Sequence, residues 1–185
     1  MIKFYLTIII TLFTLFSSNC QSFKLTPDGF KTIDGNEYLV IDFETSNKDV
    51  LFKNSLIYFN SIYKSPQNVI SLVENESITI NGKAKNSIKR NSMNIFDMDY
   101  TITFLFKDGK IRINPPNFEL KNSIDHSRKL HVKWAKISMN GYDLGIYGKN
   151  DKLKSESAKN DLENYFNTFL NDYINSLKTN KNSDW

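Results

Sequence analysis

Cysteine is almost absent: the 185-residue chain holds one, Cys20. No residue beyond position 20 can form a disulfide, offer a thiolate to a metal or act as a sulfur nucleophile. Histidine is nearly as scarce. His126 and His131 stand five apart, which puts them on opposite faces of a strand and off a common helical face. The chain has no HExxH pair and no glycine-rich phosphate loop followed by lysine. It also lacks a dense basic block. Its 24 Lys and Arg stand against 20 Asp and Glu, a net charge of +4. Lysines spread that thinly argue against a nucleic-acid surface. Internal repeats and low-complexity linkers are missing, and so is any long apolar run after the first twenty residues.

Those first residues carry the strongest signal. Lys3 precedes an apolar run from Phe4 to Phe16, which leads into Ser17-Ser18-Asn19-Cys20-Gln21. One basic charge, a short apolar core and a small-residue exit form a secretory signal peptide. A helix of about 13 residues rises roughly 20 Å, short of the ~30 Å hydrocarbon core. Two processing routes stay open. A cut after Cys20 leaves Gln21 as the N-terminus, or Cys20 itself receives lipid. The expected address is exported: periplasmic, extracellular, or anchored as a lipoprotein. Contact with a membrane is expected only through the signal segment or a lipid on Cys20. The expected division is a signal at 1–20, one domain at 21–178 and a flexible tail at 179–185. A mature chain of about 165 residues is long enough to bury a core. Fourteen phenylalanines place it among folded rather than disordered chains.

Patterning predicts an antiparallel α+β domain. Leu39, Ile41 and Phe43 alternate in a strand over Glu37 to Glu44. Two Asp-Gly turns precede it, with Phe30 and Ile33 in a short strand between them. Ser46 and Asp49 suggest a capping box, followed by a helical face of Phe52, Leu56, Phe59 and Tyr63 that stops near Pro66. Extended segments follow at 69–73 and 77–81, then a polar loop or hairpin end at 82–93. In MDYTITFLFKDGKIRI, the residues Tyr100, Ile102, Phe104 and Phe106 share a face. Asp108-Gly109 supplies the turn, Ile111 and Ile113 the return strand, and Pro115-Pro116 its end. Residues 117–150 show no clean period. A last helix carries Leu162, Phe166, Phe169, Tyr173 and Leu177 on one stripe, capped by Ser155 or Ser157. Two amphipathic helices over one sheet face make a two-layer domain.

The stretches EYLVIDFETSNKDVLFKNSLIYFNSIYKSPQNVIS, ITINGKAK and MDYTITFLFKDGKIRI, within residues 37–120, resemble a bacterial domain-of-unknown-function family with a TATA-binding-protein-like fold. Its members are mostly small exported proteins of the Bacteroidetes group. The resemblance implies a curved antiparallel sheet backed by helices, and it brings no active site to transfer.

Candidate chemistry is sparse. Asp97 and Asp99, two apart at a strand entry, are the one carboxylate pair with enzymatic potential. Lys83, Lys85, Lys89 and Arg90 form one basic stretch, and Arg128, Lys129, Lys133 and Lys136 a second, with Trp134 inside it. A tryptophan among cations suits a binding anchor. Tyr142 and Tyr147 follow in a glycine-rich aromatic segment. The expected binding residues are therefore Trp134, Tyr142, Tyr147, Lys133 and Arg128, with Cys20 for lipidation. Neither a metal nor a cofactor is expected. The reading is a non-enzymatic exported domain that binds a protein, peptide or envelope component and no nucleic acid. The alternatives are a small carboxylate-dependent enzyme and a purely structural envelope protein.

Overall fold

Period-two alternation builds the centre of the molecule. A computed structural model describes residues 22–43, 46–134 and 144–179. Strand β6 (Asn94–Lys107) buries Phe96, Met98, Tyr100, Ile102, Phe104 and Phe106 on one face. The chain turns at Asp108-Gly109, where Gly109 takes φ 69°, a left-handed backbone that glycine adopts without steric cost. It returns as β7 (Lys110–Ile113), burying Ile111 and Ile113. Pro115-Pro116 interrupts this strand but not its path. After the prolines, β8 (Asn117–Asn122) resumes along the same edge of β6. Strand β7 pairs with Phe104 to Lys107 and β8 with Phe96 to Thr101.

The other edge of β6 carries β5 (Ser77–Asn91). Residues 82–91, expected in a loop or hairpin end, are strand. Register shifts between Ala84 and Ile88 and between Lys89 and Asn91 absorb the irregular polar stretch, with Asn86 at φ 52°. Such bulges let a strand continue while its side chains are re-aimed, and Ile88 stays fully buried.

Strands β3 (Leu39–Asp42), β4 (Ile70–Val73), β9 (Lys129–Lys133) and β10 (Leu144–Tyr147) complete an eight-stranded sheet. Its order is β10-β9-β8-β6-β5-β4, with β3 attached through β7. The expected curved antiparallel sheet is corrected here: the sheet is open and mixed, because β10 runs parallel to β9. Alternation reads the same in either chain direction, and strands of four and five residues are too short to display it. Nothing in the local pattern of residues 117–150 could therefore reveal the parallel pair.

A separate hairpin, β1 (Phe23–Thr26) with β2 (Gly29–Thr32), turns at Pro27-Asp28. Phe30 is buried within it, whereas Ile33 lies beyond β2 and is exposed. Helix α1 (Lys48–Ile62) is capped by Asn47, whose side chain accepts the Val50 N–H, so the expected capping box at Ser46 is not used. Pro66 opens a short helix, α2 (Pro66–Val69), at a position where its missing N–H is harmless.

Helix α3 (Glu156–Thr179) follows the predicted stripe, burying Leu162, Phe166, Leu170, Tyr173, Ile174 and Leu177. Ser155 caps it by accepting the Ala158 N–H at 3.3 Å. The side chains of α3 also satisfy the edge of β1. Asn167 both accepts the Phe23 N–H and donates to the Phe23 carbonyl, and Glu163 accepts the Leu25 N–H. Phe59 of α1, Phe104 of β6 and Tyr173 of α3 meet in one aromatic cluster where the two helices cross the sheet.

The opposite face of the sheet is polar. Asp99 pairs with Lys83 and Lys121, and Glu119 pairs with Lys121 and Lys129. Lys129 and Lys121 lower the Glu119 carboxyl from its ordinary 4.5 to about 2. A depressed folded-state pKa contributes stability that is complete above 4.5 and is lost as pH falls towards 2. Glu119→Gln should therefore flatten the acid side of the stability profile across that window. Urea midpoints measured on either side of it check this, and an unchanged slope refutes it.

Candidate functional site

The parallel pair β9–β10 creates a cleft that gathers two of the expected site residues, Trp134 and Tyr147. Trp134 follows directly after β9, and its backbone N–H donates to the Tyr147 carbonyl at 2.9 Å. Close packing at this point requires Gly145. A Cβ there would stand 2.5 Å from the Tyr147 oxygen and 2.7 Å from the Trp134 nitrogen, both fixed backbone atoms. After Tyr147 the chain folds back. Gly148 donates to the Lys152 carbonyl, Asp151 takes φ 62°, and the Lys154 and Ser155 N–H groups both reach the Ile146 carbonyl. This return covers the outer edge of β10 and sets Lys149 and Lys154 at the two ends of a tight turn.

Arg90 arrives from the far end of β5. That end is clamped to the start of α3: Ser155 donates to the Arg90 carbonyl, Ser157 donates to the Lys89 carbonyl, and Asp161 accepts the Lys89 N–H. The result is a cleft of about 340 Å³ between Arg90, Trp134, Tyr147, Lys149 and Lys154, floored by Gly145 and Gly148. Lys149 Nζ lies 4.6 Å from the centre of the Trp134 ring. The Tyr147 hydroxyl is turned inward and donates to the Leu25 carbonyl at 2.6 Å, and burial raises its pKa. Tyr147 therefore acts as a wall and keeps its proton.

The expected residues divide accordingly. Trp134 and Tyr147 line the cleft together. Lys133 is held in an ion pair with Asp151, which raises its pKa. Arg128 precedes β9 at its other end and donates to the Asn94 side chain, so the strand separates it from Trp134. Tyr142, Lys136 and Cys20 lie outside the described residues. Sequence reasoning missed Lys149 and Lys154 and placed Arg90 in a different basic stretch, since no spacing signal links residue 90 to residue 134.

The carboxylate pair offers little chemistry. Asp97 accepts the Asn86 N–H at 2.7 Å and the Ser123 hydroxyl at 2.8 Å, which hold its carboxyl below the ordinary range. A carboxyl held ionised at neutral pH is a poor proton donor. Asp99 is committed to two lysines. Among the described residues, no three His, Cys, Asp or Glu side chains gather as a metal site.

Residues 38–121 match the model of a domain of unknown function (DUF4468) with TBP-like fold. The match spans β3 to β8 with α1 and α2 and takes in Arg90. Trp134, Tyr147, Lys149 and Lys154 lie outside it, as do the β1–β2 hairpin and α3. The chain is similar to a TBP-like protein from Parabacteroides distasonis, at 16% identity over 80% of this chain and 96% of that one, with a TM-score of 0.49. It is also similar to a DUF4468 family protein from Bacteroides ovatus, at 13% identity over 80% of this chain and 88% of that one, again with a TM-score of 0.49. No curated protein matches the chain.

Proposed function

We propose that this protein is an exported, non-enzymatic binding module whose Trp134–Tyr147 cleft captures a component of the cell envelope. One observation carries the reading. A half-buried tryptophan stands in a cleft whose three cations, Arg90, Lys149 and Lys154, have no carboxylate partner among the described residues, while Lys83, Lys121 and Lys129 of the open sheet face are paired. Aromatic anchors beside unneutralised charge are what a recognition site needs. The commitment of Asp97 and Asp99 to hydrogen bonds and ion pairs weighs against the enzymatic alternative. Export is supported by the first twenty residues. A cut after Cys20 would remove nothing that β1 uses, because the hydrogen bonds of that strand to α3 begin at Phe23.

The test is capture from envelope extract by the intact protein and by Trp134→Ala. The expected result is loss of capture in the variant with its thermal stability kept. Capture that survives the substitution removes this cleft from the reading. Intact mass of the protein from fractionated cells separates a chain starting at Gln21 from one lipidated at Cys20.

A further inference from the structure

We infer that the cleft takes a phosphomonoester, with the phosphoryl oxygens among Arg90, Lys149 and Lys154 and an apolar or aromatic body lying against Trp134. The inference rests on the reading of this cleft as a binding site and names its ligand class. Three positive groups border a space of about 340 Å³, and among the described residues none of them makes an ion pair. Gathered like charges repel unless an anion sits between them. A dianionic phosphoryl group compensates such a cluster better than a single carboxylate. Arginine adds a planar fork that matches phosphate oxygens.

The guanidinium of Arg90 fits this role. Its Nε is buried and has no hydrogen-bond partner among the described residues. Among the described residues its terminal nitrogens make no ion pair, so they are the part available to a ligand. Lys149, placed over the indole, brings its charge and the aromatic surface to one spot. The volume lies at the small end of known ligand clefts, about 300–1,000 Å³, which suits a compact headgroup rather than a polymer.

The experiment uses the mature chain with Trp185→Phe, so that Trp134 is the only fluorophore of its kind. Its emission is followed during titration with phenyl phosphate, inorganic phosphate, benzoate and vesicles containing phosphatidic acid. Phenyl phosphate should saturate the signal. It should bind about tenfold more tightly than inorganic phosphate, the gain expected from one aromatic contact. It should bind at least about tenfold more tightly than benzoate, which lacks the second charge. Lys149→Gln, an exposed change that spares the fold, should weaken phenyl phosphate about tenfold or more, as should Arg90→Gln. Lys24→Gln, an exposed lysine on β1, should change nothing.

Saturation by the vesicles as well supports the site and assigns the phosphoryl group to a lipid headgroup. Saturation by phenyl phosphate alone supports it and assigns a soluble ligand. Failure of phenyl phosphate to saturate, or equal affinity for benzoate, overturns the inference. If that failure accompanies capture that still depends on Trp134, the ligand class is wrong and the binding reading stands. If capture is independent of Trp134, the binding reading itself falls.

Discussion

Phe59→Ala should lower the unfolding free energy by about 3–5 kcal/mol, the largest effect of any truncation discussed for this protein. Phe59 has no solvent exposure. Its ring lies 4.9 Å from Phe104 of β6 and 5.0 Å from Tyr173 of α3, with Tyr58 and Phe169 on its flanks. It is the point where α1, α3 and the longest hairpin meet. Truncation removes the transfer free energy of a phenyl ring and leaves a cavity walled by other rings, which cannot collapse to fill it. A domain of this size is stable by roughly 5–15 kcal/mol, so the loss is a large fraction of the total. The corresponding fall in melting temperature is about 6–20 °C. Ile57, on the same helix but 53% exposed, supplies the control. Ile57→Ala should stay within about 0.5 kcal/mol of the parent. Urea unfolding of the three proteins decides the matter, and comparable losses in both variants would mean that Phe59 is not at the centre of the core.

Gly145→Ala should cost about 2–4 kcal/mol and dismantle the cleft, although it adds a single methyl group. The added carbon would meet the Tyr147 oxygen and the Trp134 nitrogen at 2.5 and 2.7 Å. Neither can rotate away, so β9 and β10 must separate and the Trp134–Tyr147 hydrogen bond must lengthen. Gly148→Ala makes a sharp comparison. There the nearest atom, at 3.0 Å, is the Cε of Lys154, the flexible end of a long side chain. That variant should lose little stability and only displace Lys154. Thermal unfolding together with Trp134 emission distinguishes the two. A mild effect at Gly145 would show that the parallel pair is looser than its geometry implies.

Much of the scaffold was legible from residue order because its signals are local. The alternation of Tyr100, Ile102, Phe104 and Phe106, the Asp108-Gly109 turn and the stripe of α3 each fall within one element. Misreadings came where a local signal had a rival. Asn47 and Ser46 are both competent caps, and the docking of Lys48 on Asp108 favours the register that starts one residue later. The polar run after Gly82 looks like a loop until β6 supplies partners on both sides of its bulges. Of the cleft, only Trp134 and Tyr147 were legible, through residue type and proximity in sequence. Arg90 was not, because serine and aspartate hydroxyl and carboxylate contacts from α3, more than sixty residues later, bring it there.

Sequence alone determined the scarcity of cysteine and histidine and the amphipathic elements that form the core. These depend on composition and short-range periodicity, which a chain displays before it folds. Tertiary structure alone decided that β10 runs parallel to β9 and that Gly145 lets their backbones close. It also decided that Arg90, Lys149 and Lys154 share one cleft with Trp134. Those outcomes depend on contacts between distant segments, and the pattern within each segment is the same whichever neighbour it meets.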